Sequence, residues 1–151
     1  MKDKAYLLDA NILIAVLDEN KDNPNHQKAK ELYDDLKSKN AKMVITSLIR
    51  YEILRGIKSK SINEAQAFLD DFIELEITDL EANPSAKIFH AMPKIDELDD
   101  IQKKNYKHNF DIFHYVVAKR YNLDLVNVNE KDFEKIDKFV NQLPINPFEW
   151  N

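Results

Sequence analysis

Four carboxylates are placed where the predicted secondary structure of this chain would bring them together; they are Asp9, Glu52, Asp111 and Asp132. Asp9 and Asp132 each come shortly after an apolar run typical of a buried strand. Glu52 lies in the first turns of one predicted helix, and Asp111 opens another. Converging carboxylates repel one another strongly unless divalent cations are bound among them. The pattern therefore predicts a Mg²⁺ or Mn²⁺ site with oxygen ligands.

These acids would be positioned by strands that alternate with helices. The predicted strands are short, continuous apolar runs at residues 5–8, 43–45 and 123–128. Helical patterns separate them, which predicts an α/β fold with a mainly parallel central sheet flanked by helices on both faces. In such sheets ligands bind beyond the carboxyl ends of the strands. Asp9 and Asp132 are therefore expected at the same edge of the sheet.

Three helix starts carry capping signals. A capping box at residues 61–64 precedes an apolar helical face that is expected to extend to Ile73. The Asn-Pro pair at residues 83–84 predicts an N-cap followed by proline at the first helical position. Residues 129–132 repeat the capping-box pattern before the last predicted helix.

Length, composition and charge narrow the possible functions. A chain of 151 residues with 44% hydrophobic content is expected to form one domain over residues 1–151. Because it contains no cysteine, any metal must be bound by oxygen or histidine. The net charge of -5 counts against a purely nucleic-acid-binding module. Contact with a nucleic acid would need local basic segments, for which residues 50–60 and 103–107 are the candidates.

The first twenty residues also bear on location. Their apolar stretch is interrupted by polar residues and is too short for a membrane span, and no signal-type cleavage region follows it. A cytoplasmic protein without membrane contact is therefore expected.

The segments around the four acids resemble the motifs of PIN-domain ribonucleases. YLLDANILIAVL, with Asp9 and Asn11, is similar to the opening motif of that family. SLIRYEILRG is similar to the second motif, with Glu52 as its acid. NFDIFHYVVAKRYNLDLVNVNEKDF is similar to the third and fourth motifs, with Asp111 and Asp132 as their acids. The resemblance covers nearly the whole chain in order.

Some positions around the acids can be compared with the same motifs. Gly56 occupies the glycine of the second motif, and Asn129 lies in the turn before the last acid. The position two before Asn129 is commonly Thr or Ser in the family, whereas this chain has Asn127. After the third acid the family favours small residues, whereas this chain has Phe113, His114 and Tyr115.

The resemblance implies a PIN-like fold, one or two Mg²⁺ or Mn²⁺ ions, and hydrolysis of RNA phosphodiester bonds. In length and in its four acids the chain is most similar to the VapC-type toxins of toxin–antitoxin pairs. Such toxins usually form homodimers and are inhibited by an antitoxin protein. The implied metal ligands are Asp9, Glu52, Asp111 and Asp132. The implied supporting residues are Asn11, Asn127 and Asn129.

Other functions remain open at the level of sequence. The chain could be a non-toxin PIN nuclease in RNA processing, or a PIN-like interaction module that has lost catalysis. An apolar strand ending in D-x-N is also similar to the nucleophile loop of haloacid-dehalogenase-type phosphatases. That chemistry needs a second Asp two residues after the first, where this chain has Asn11. The RNA, its cleavage site and the number of ions are not specified by these patterns.

Overall fold

The computed structural model describes residues 4–18, 22–92 and 110–150. The basic segment at residues 103–107 lies outside the described residues. The chain divides into two compact units, of which the first comprises residues 1–76 and 123–128 and the second the remainder. No helix in the described part of the chain is both long enough and apolar enough to cross a membrane.

A parallel sheet of four strands lies in the first unit. The strands are β1 (Ala5–Leu8), β2 (Lys42–Thr46), β3 (Ile73–Leu75) and β4 (Asp124–Val126). Their order is β3-β2-β1-β4, and every neighbouring pair is parallel. This arrangement confirms the predicted α/β class and its parallel sheet.

Four helices belong to the same unit: α1 (Ala10–Asp18), α2 (Pro24–Ser38), α3 (Ser47–Gly56) and α4 (Ile62–Leu69). Their apolar residues and those of the strands form a core from which solvent is excluded; its fully buried members include Leu7, Leu8, Ile12, Leu13, Ile45, Ile49, Ile53 and Leu69. Asn23 caps α2 by accepting hydrogen bonds from the backbone N–H groups of Asn25 and His26. Pro24, at the first helical position, has no N–H that would need a partner.

The second unit contains three helices in its described part: α5 (Asp79–Ala91), α6 (Asp111–Tyr121) and α7 (Glu130–Asn141). Their buried apolar residues include Ile88, Val116, Val117 and Ile136. Glu81 of α5 is also fully buried, and Arg120 of α6 forms an ion pair with it. Burial alone would raise the pKa of Glu81, but hydrogen bonds from Thr78 and Arg120 outweigh burial and lower it.

Two predicted element boundaries were wrong. The helical face expected to reach Ile73 ends at Leu69, because the chain turns there and Ile73 begins β3. The helix expected to start at residues 83–84 begins earlier, at Asp79. Thr78 and Glu81 form a complete capping box at that point, so Pro84 lies inside α5.

Candidate active site

Asp9 lies at the carboxyl end of β1, in the first unit. Its backbone N–H donates a 2.9 Å hydrogen bond to the carbonyl oxygen of Val126, the last residue of β4. The residue is 7% exposed. Asp9 is thus held by its backbone at the edge where ligands bind in parallel sheets.

Two amide side chains meet beside Asp9. Leu8 pairs with Val126 in the sheet, so Asn127 follows β4 at the level of Asp9. Asn11, in the first turn of α1, donates a hydrogen bond from Nδ2 to Oδ1 of Asn127. Asn127 is buried, with 4% exposure. The bond therefore joins the start of α1 to the end of β4, and we refer to Asp9, Asn11 and Asn127 as the β1–β4 corner.

Glu52 lies on α3, which starts at the same edge of the sheet. The helix begins directly after β2, where the side chain of Thr46 accepts a 3.1 Å hydrogen bond from the backbone N–H of Ile49. Because β2 pairs with β1 in parallel, the start of α3 lies near the level of Asp9. Glu52 is half-buried. It lies five residues beyond Ser47, which is about 7.5 Å from Ser47 along the helix axis.

The glycine of the second motif has a packing role at the end of α3. A Cβ added to Gly56 would lie 2.8 Å from Cδ1 of Ile14 on α1. Since two carbon atoms do not normally approach so closely, the glycine allows α3 and α1 to pack at this point.

The other two acids lie in the second unit. Asp111 is the first residue of α6 and is half-buried, a position where the helix dipole favours a negative charge. Asp132 is the third residue of α7, and Nδ2 of Asn129 donates a 3.2 Å hydrogen bond to its Oδ2. Asn129 is the N-cap but makes no side-chain capping bond. The capping box predicted at residues 129–132 is therefore replaced by contact between the two side chains.

One of the bulky residues after Asp111 has a polar role. The hydroxyl of Tyr115 on α6 donates a 2.7 Å hydrogen bond to Asp137 on α7, and Lys119 lies 3.1 Å from the same carboxylate. The hydrogen bond from Tyr115 and the charge of Lys119 lower the pKa of Asp137. Burial and the neighbouring Asp137 raise the pKa of Tyr115. The neighbouring His114 is fully buried.

Two basic residues near the sheet edge already have partners within the protein. Arg50 is paired with Glu74 at 2.7 Å and with Asp70 at 3.2 Å. Lys28 on α2 donates a 3.1 Å hydrogen bond to the carbonyl oxygen of Val128, two residues beyond β4. The sequence analysis missed Lys28, because nothing in its local pattern indicates a contact across 100 positions of the chain.

The donor set suits a hard divalent cation, because it consists of carboxylate and amide oxygens. Asp9 and Glu52 lie in the first unit, and Asp111 and Asp132 lie in the second. Among residues 4–18, 22–92 and 110–150, no three His, Asp or Glu side chains already form a group that could hold a metal ion. The choice of ligands therefore stays a proposal that rests on the chemistry of the side chains.

Comparison with known proteins places the chain in a family. A model of the PIN domain matches residues 6–139, a range that contains all four acids. Among solved structures, a chain described as "Toxin-antitoxin complex from Klebsiella pneumoniae" has a similar fold, with a TM-score of 0.57 and 20% sequence identity. That likeness covers 96% of this chain and 99% of the other. No curated protein matches the sequence significantly. The chain therefore belongs to the PIN domain family, whose members are in general nucleases.

Proposed function

We propose that this protein is a metal-dependent ribonuclease that hydrolyses RNA phosphodiester bonds. The observation that carries the proposal is the β1–β4 corner, where Asp9, Asn11 and Asn127 lie together at the carboxyl edge of the sheet. Membership of the PIN domain family supports nuclease chemistry in general terms. The absence of cysteine from the chain restricts the metal ligands to oxygen and histidine.

The proposed roles of the acids follow from their chemistry. Asp9, Asp111 and Asp132 would hold Mg²⁺ or Mn²⁺, either directly or through water. Glu52 would ligate the ion or orient the attacking water. When bound, a divalent ion supplies positive charge that lowers the pKa of water and neutralises the phosphate oxygens.

The amide residues would position the acids and the substrate. Asn11 uses its Nδ2 group to bind Asn127, and it would orient Asp9 or a phosphate oxygen. Asn129 would hold Asp132 through their 3.2 Å contact. With water as the nucleophile, the P–O3′ bond breaks, and the products carry 5′-phosphate and 3′-hydroxyl ends.

We further propose that the protein is the cytoplasmic toxin of a toxin–antitoxin pair, that it forms a homodimer and that an antitoxin protein inhibits it. The length of the chain, its four acids and its likeness in fold to a chain of a toxin–antitoxin complex support this proposal.

The nuclease proposal is tested with purified wild-type protein and the Asp9→Asn variant on cellular RNA, with Mg²⁺ or Mn²⁺ added. Loss of the Asp9 charge is expected to reduce cleavage by at least about 100-fold, since metal assistance contributes several kcal/mol to the transition state. Asp34→Asn, which alters an exposed acid on α2, serves as the matched control and should cleave normally. Folded wild-type protein that binds neither ion and cleaves no RNA would overturn the proposal.

The toxin proposal has its own test. Induced wild-type protein should arrest growth, and Asp9→Asn should not, with RNA ends mapped in both cultures. Co-expression of the product of a small adjacent reading frame should restore growth. A wild-type enzyme that cleaves RNA in vitro but does not affect growth would contradict the toxin role and leave the nuclease in place.

A further inference from the structure

Helix α3 has one buried and one exposed face. Ile49 and Ile53 are fully buried, whereas Ser47, Tyr51 and Arg55 are exposed at successive intervals of four residues. Tyr51 is 53% exposed to solvent, which is unusual for an aromatic side chain. An aromatic ring is therefore available to a ligand on the helix that carries Glu52.

Arg55 lies against this ring. Its guanidinium carbon is 5.2 Å from the centroid of the Tyr51 ring, a cation–π contact. Arg50, on the same helix, is bound to Asp70 and Glu74. No ion pair holds Arg55 in the part of the chain that the structure describes. In a chain with a net charge of -5, the exposed charge of Arg55 is thus available to an anion.

The position of the pair on α3 relates it to the acids of the first unit. Tyr51 directly precedes Glu52, and Arg55 follows Glu52 by three residues, so that Glu52 and Arg55 are neighbours on the helix surface. Tyr51 lies about 6 Å along the axis from Ser47, where α3 begins at the sheet edge. A polymer bound at this edge could therefore reach both side chains.

We propose that Tyr51 and Arg55 form a nucleotide-binding subsite for single-stranded RNA, a proposal that rests on the ribonuclease function. One base stacks on the Tyr51 ring, and Arg55 donates hydrogen bonds to an adjacent phosphate. The combination favours RNA over an acidic protein segment, because a carboxylate chain would use the guanidinium but would have no flat base for the ring. The subsite would hold the strand beside Glu52 without reading a particular base.

Binding is tested in the Asp9→Asn background, which should prevent cleavage, by fluorescence anisotropy with a labelled single-stranded RNA and with an abasic strand of equal length. Tyr51→Ala should weaken binding of the RNA about tenfold and leave binding of the abasic strand unchanged. Tyr51→Phe keeps the ring and should bind as the parent does. Arg55→Gln should weaken both ligands and reduce the salt dependence of binding by about one phosphate contact.

A second tyrosine provides the matched control. Tyr121, on α6, is 36% exposed and has the guanidinium carbon of Arg120 at 4.9 Å, but that arginine is already bound to Glu81. Tyr121→Ala should therefore leave RNA affinity unchanged. Thermal unfolding of every variant shows whether a loss of binding reflects a loss of folded protein. In that case Tyr51→Phe, which should keep the full affinity, and Arg55→Lys, which should keep part of it, decide the result.

The outcomes separate the two proposals. If the wild type cleaves RNA but Tyr51→Ala binds RNA as tightly as its parent does, the subsite is refuted and the ribonuclease stands. If Arg55→Gln weakens binding of a polyglutamate peptide as much as binding of RNA, the surface recognises acidic chains and the RNA subsite is refuted. If the wild type neither binds nor cleaves RNA, both proposals fail.

Discussion

Asn127 shows how much a single side chain can contribute to the sheet edge. It lies two positions before Asn129, where the motif resemblance leads us to expect Thr or Ser, and it is buried. Its side chain carries both a donor and an acceptor, and the acceptor is used by Asn11. Asn127 therefore supplies a hydrogen-bond acceptor to the β1–β4 corner through a side chain longer than that of Thr or Ser.

The coupling between these two amides can be measured. Asn11→Ala, Asn127→Ala and the double variant should give an interaction energy of about 1 kcal/mol in the free energy of unfolding, as expected for a partly buried hydrogen bond. Urea denaturation of the four proteins provides the cycle. Additive effects of the two single variants would show that the bond contributes nothing to stability. Asn127→Ser should retain more RNA cleavage than Asn127→Ala, because a hydroxyl can still accept a hydrogen bond.

The sequence could predict where the acids lie along the helices and strands. It could not predict the long-range contacts around the sheet edge. An apolar run followed by Asp indicates a buried strand ending at the ligand edge, and Asp9 lies there. The contacts from Asn11 to Asn127 and from Lys28 to Val128 each join residues at least 100 positions apart. Such contacts depend on strand order and register, which one sequence does not specify.

At the scale of elements, the mistaken boundaries arose where two local signals competed. At residues 83–84 the Asn-Pro pair indicated a helix start, but the capping box of Thr78 and Glu81 begins α5 five residues earlier. The same dipeptide at Asn23 and Pro24 does start a helix, in which Asn23 is the N-cap and Pro24 the first residue. β3 was missed because it has only three residues, of which two are exposed, so its burial pattern has no clear period of two.

The contact between α1 and α3 gives a prediction about packing. Gly56→Ala would place a methyl group 2.8 Å from Cδ1 of Ile14. Because Cδ1 is the far end of a side chain that can shift, we expect a destabilisation of at most about 1 kcal/mol. Ile14→Val removes that Cδ1 atom, and the next contact, with Cγ1, is an acceptable 3.8 Å. The double variant should therefore be more stable than the sum of the single changes predicts, as measured by thermal unfolding. Strict additivity would show that the clash is relieved elsewhere.

The hydrogen bond between α6 and α7 predicts a pH dependence. Tyr115→Phe removes a donor from the half-exposed Asp137 and should lower the free energy of unfolding by about 1 kcal/mol at pH 7. Because the folded protein lowers the pKa of Asp137 from its ordinary 3.8, the stabilisation is present above that value and is lost as the pH falls below it. The difference between the variant and the wild type should therefore shrink in acid.

Tyr33→Phe is the matched control for this comparison. Tyr33 is buried to a similar extent, but in the part of the chain that the structure describes its hydroxyl makes no hydrogen bond. Its removal should have a small effect that does not depend on acid pH. An equal and pH-independent loss in both variants, measured by urea denaturation from pH 7 to pH 3, would contradict a role for Asp137.

At the scale of the whole molecule, the family match at residues 6–139 includes residues of both units. That the chain forms a single domain stays a prediction. Of the proposed metal ligands, Asp9 and Glu52 belong to the first unit, and Asp111 and Asp132 belong to the second.

Ion binding should be visible without RNA. Mn²⁺ at about 100 times its dissociation constant should stabilise the wild type by about 2.7 kcal/mol, because a ligand that binds only the folded state shifts the unfolding equilibrium. Differential scanning calorimetry should show this rise in melting temperature for wild type and for Asp34→Asn. Asp9→Asn and Asp132→Asn should each lose it. A full rise in either of these variants would remove that residue from the proposed ligand set.

The late position of β4 in the chain has a consequence for synthesis. β1 pairs with β4 on one side, and Asn11 binds Asn127 just beyond that strand. Until a ribosome has translated residues 124–127, the nascent polypeptide lacks one neighbour of β1 and the amide partner of Asn11. On the proposed function, the order of translation delays nuclease activity until residues 124–127 have been made.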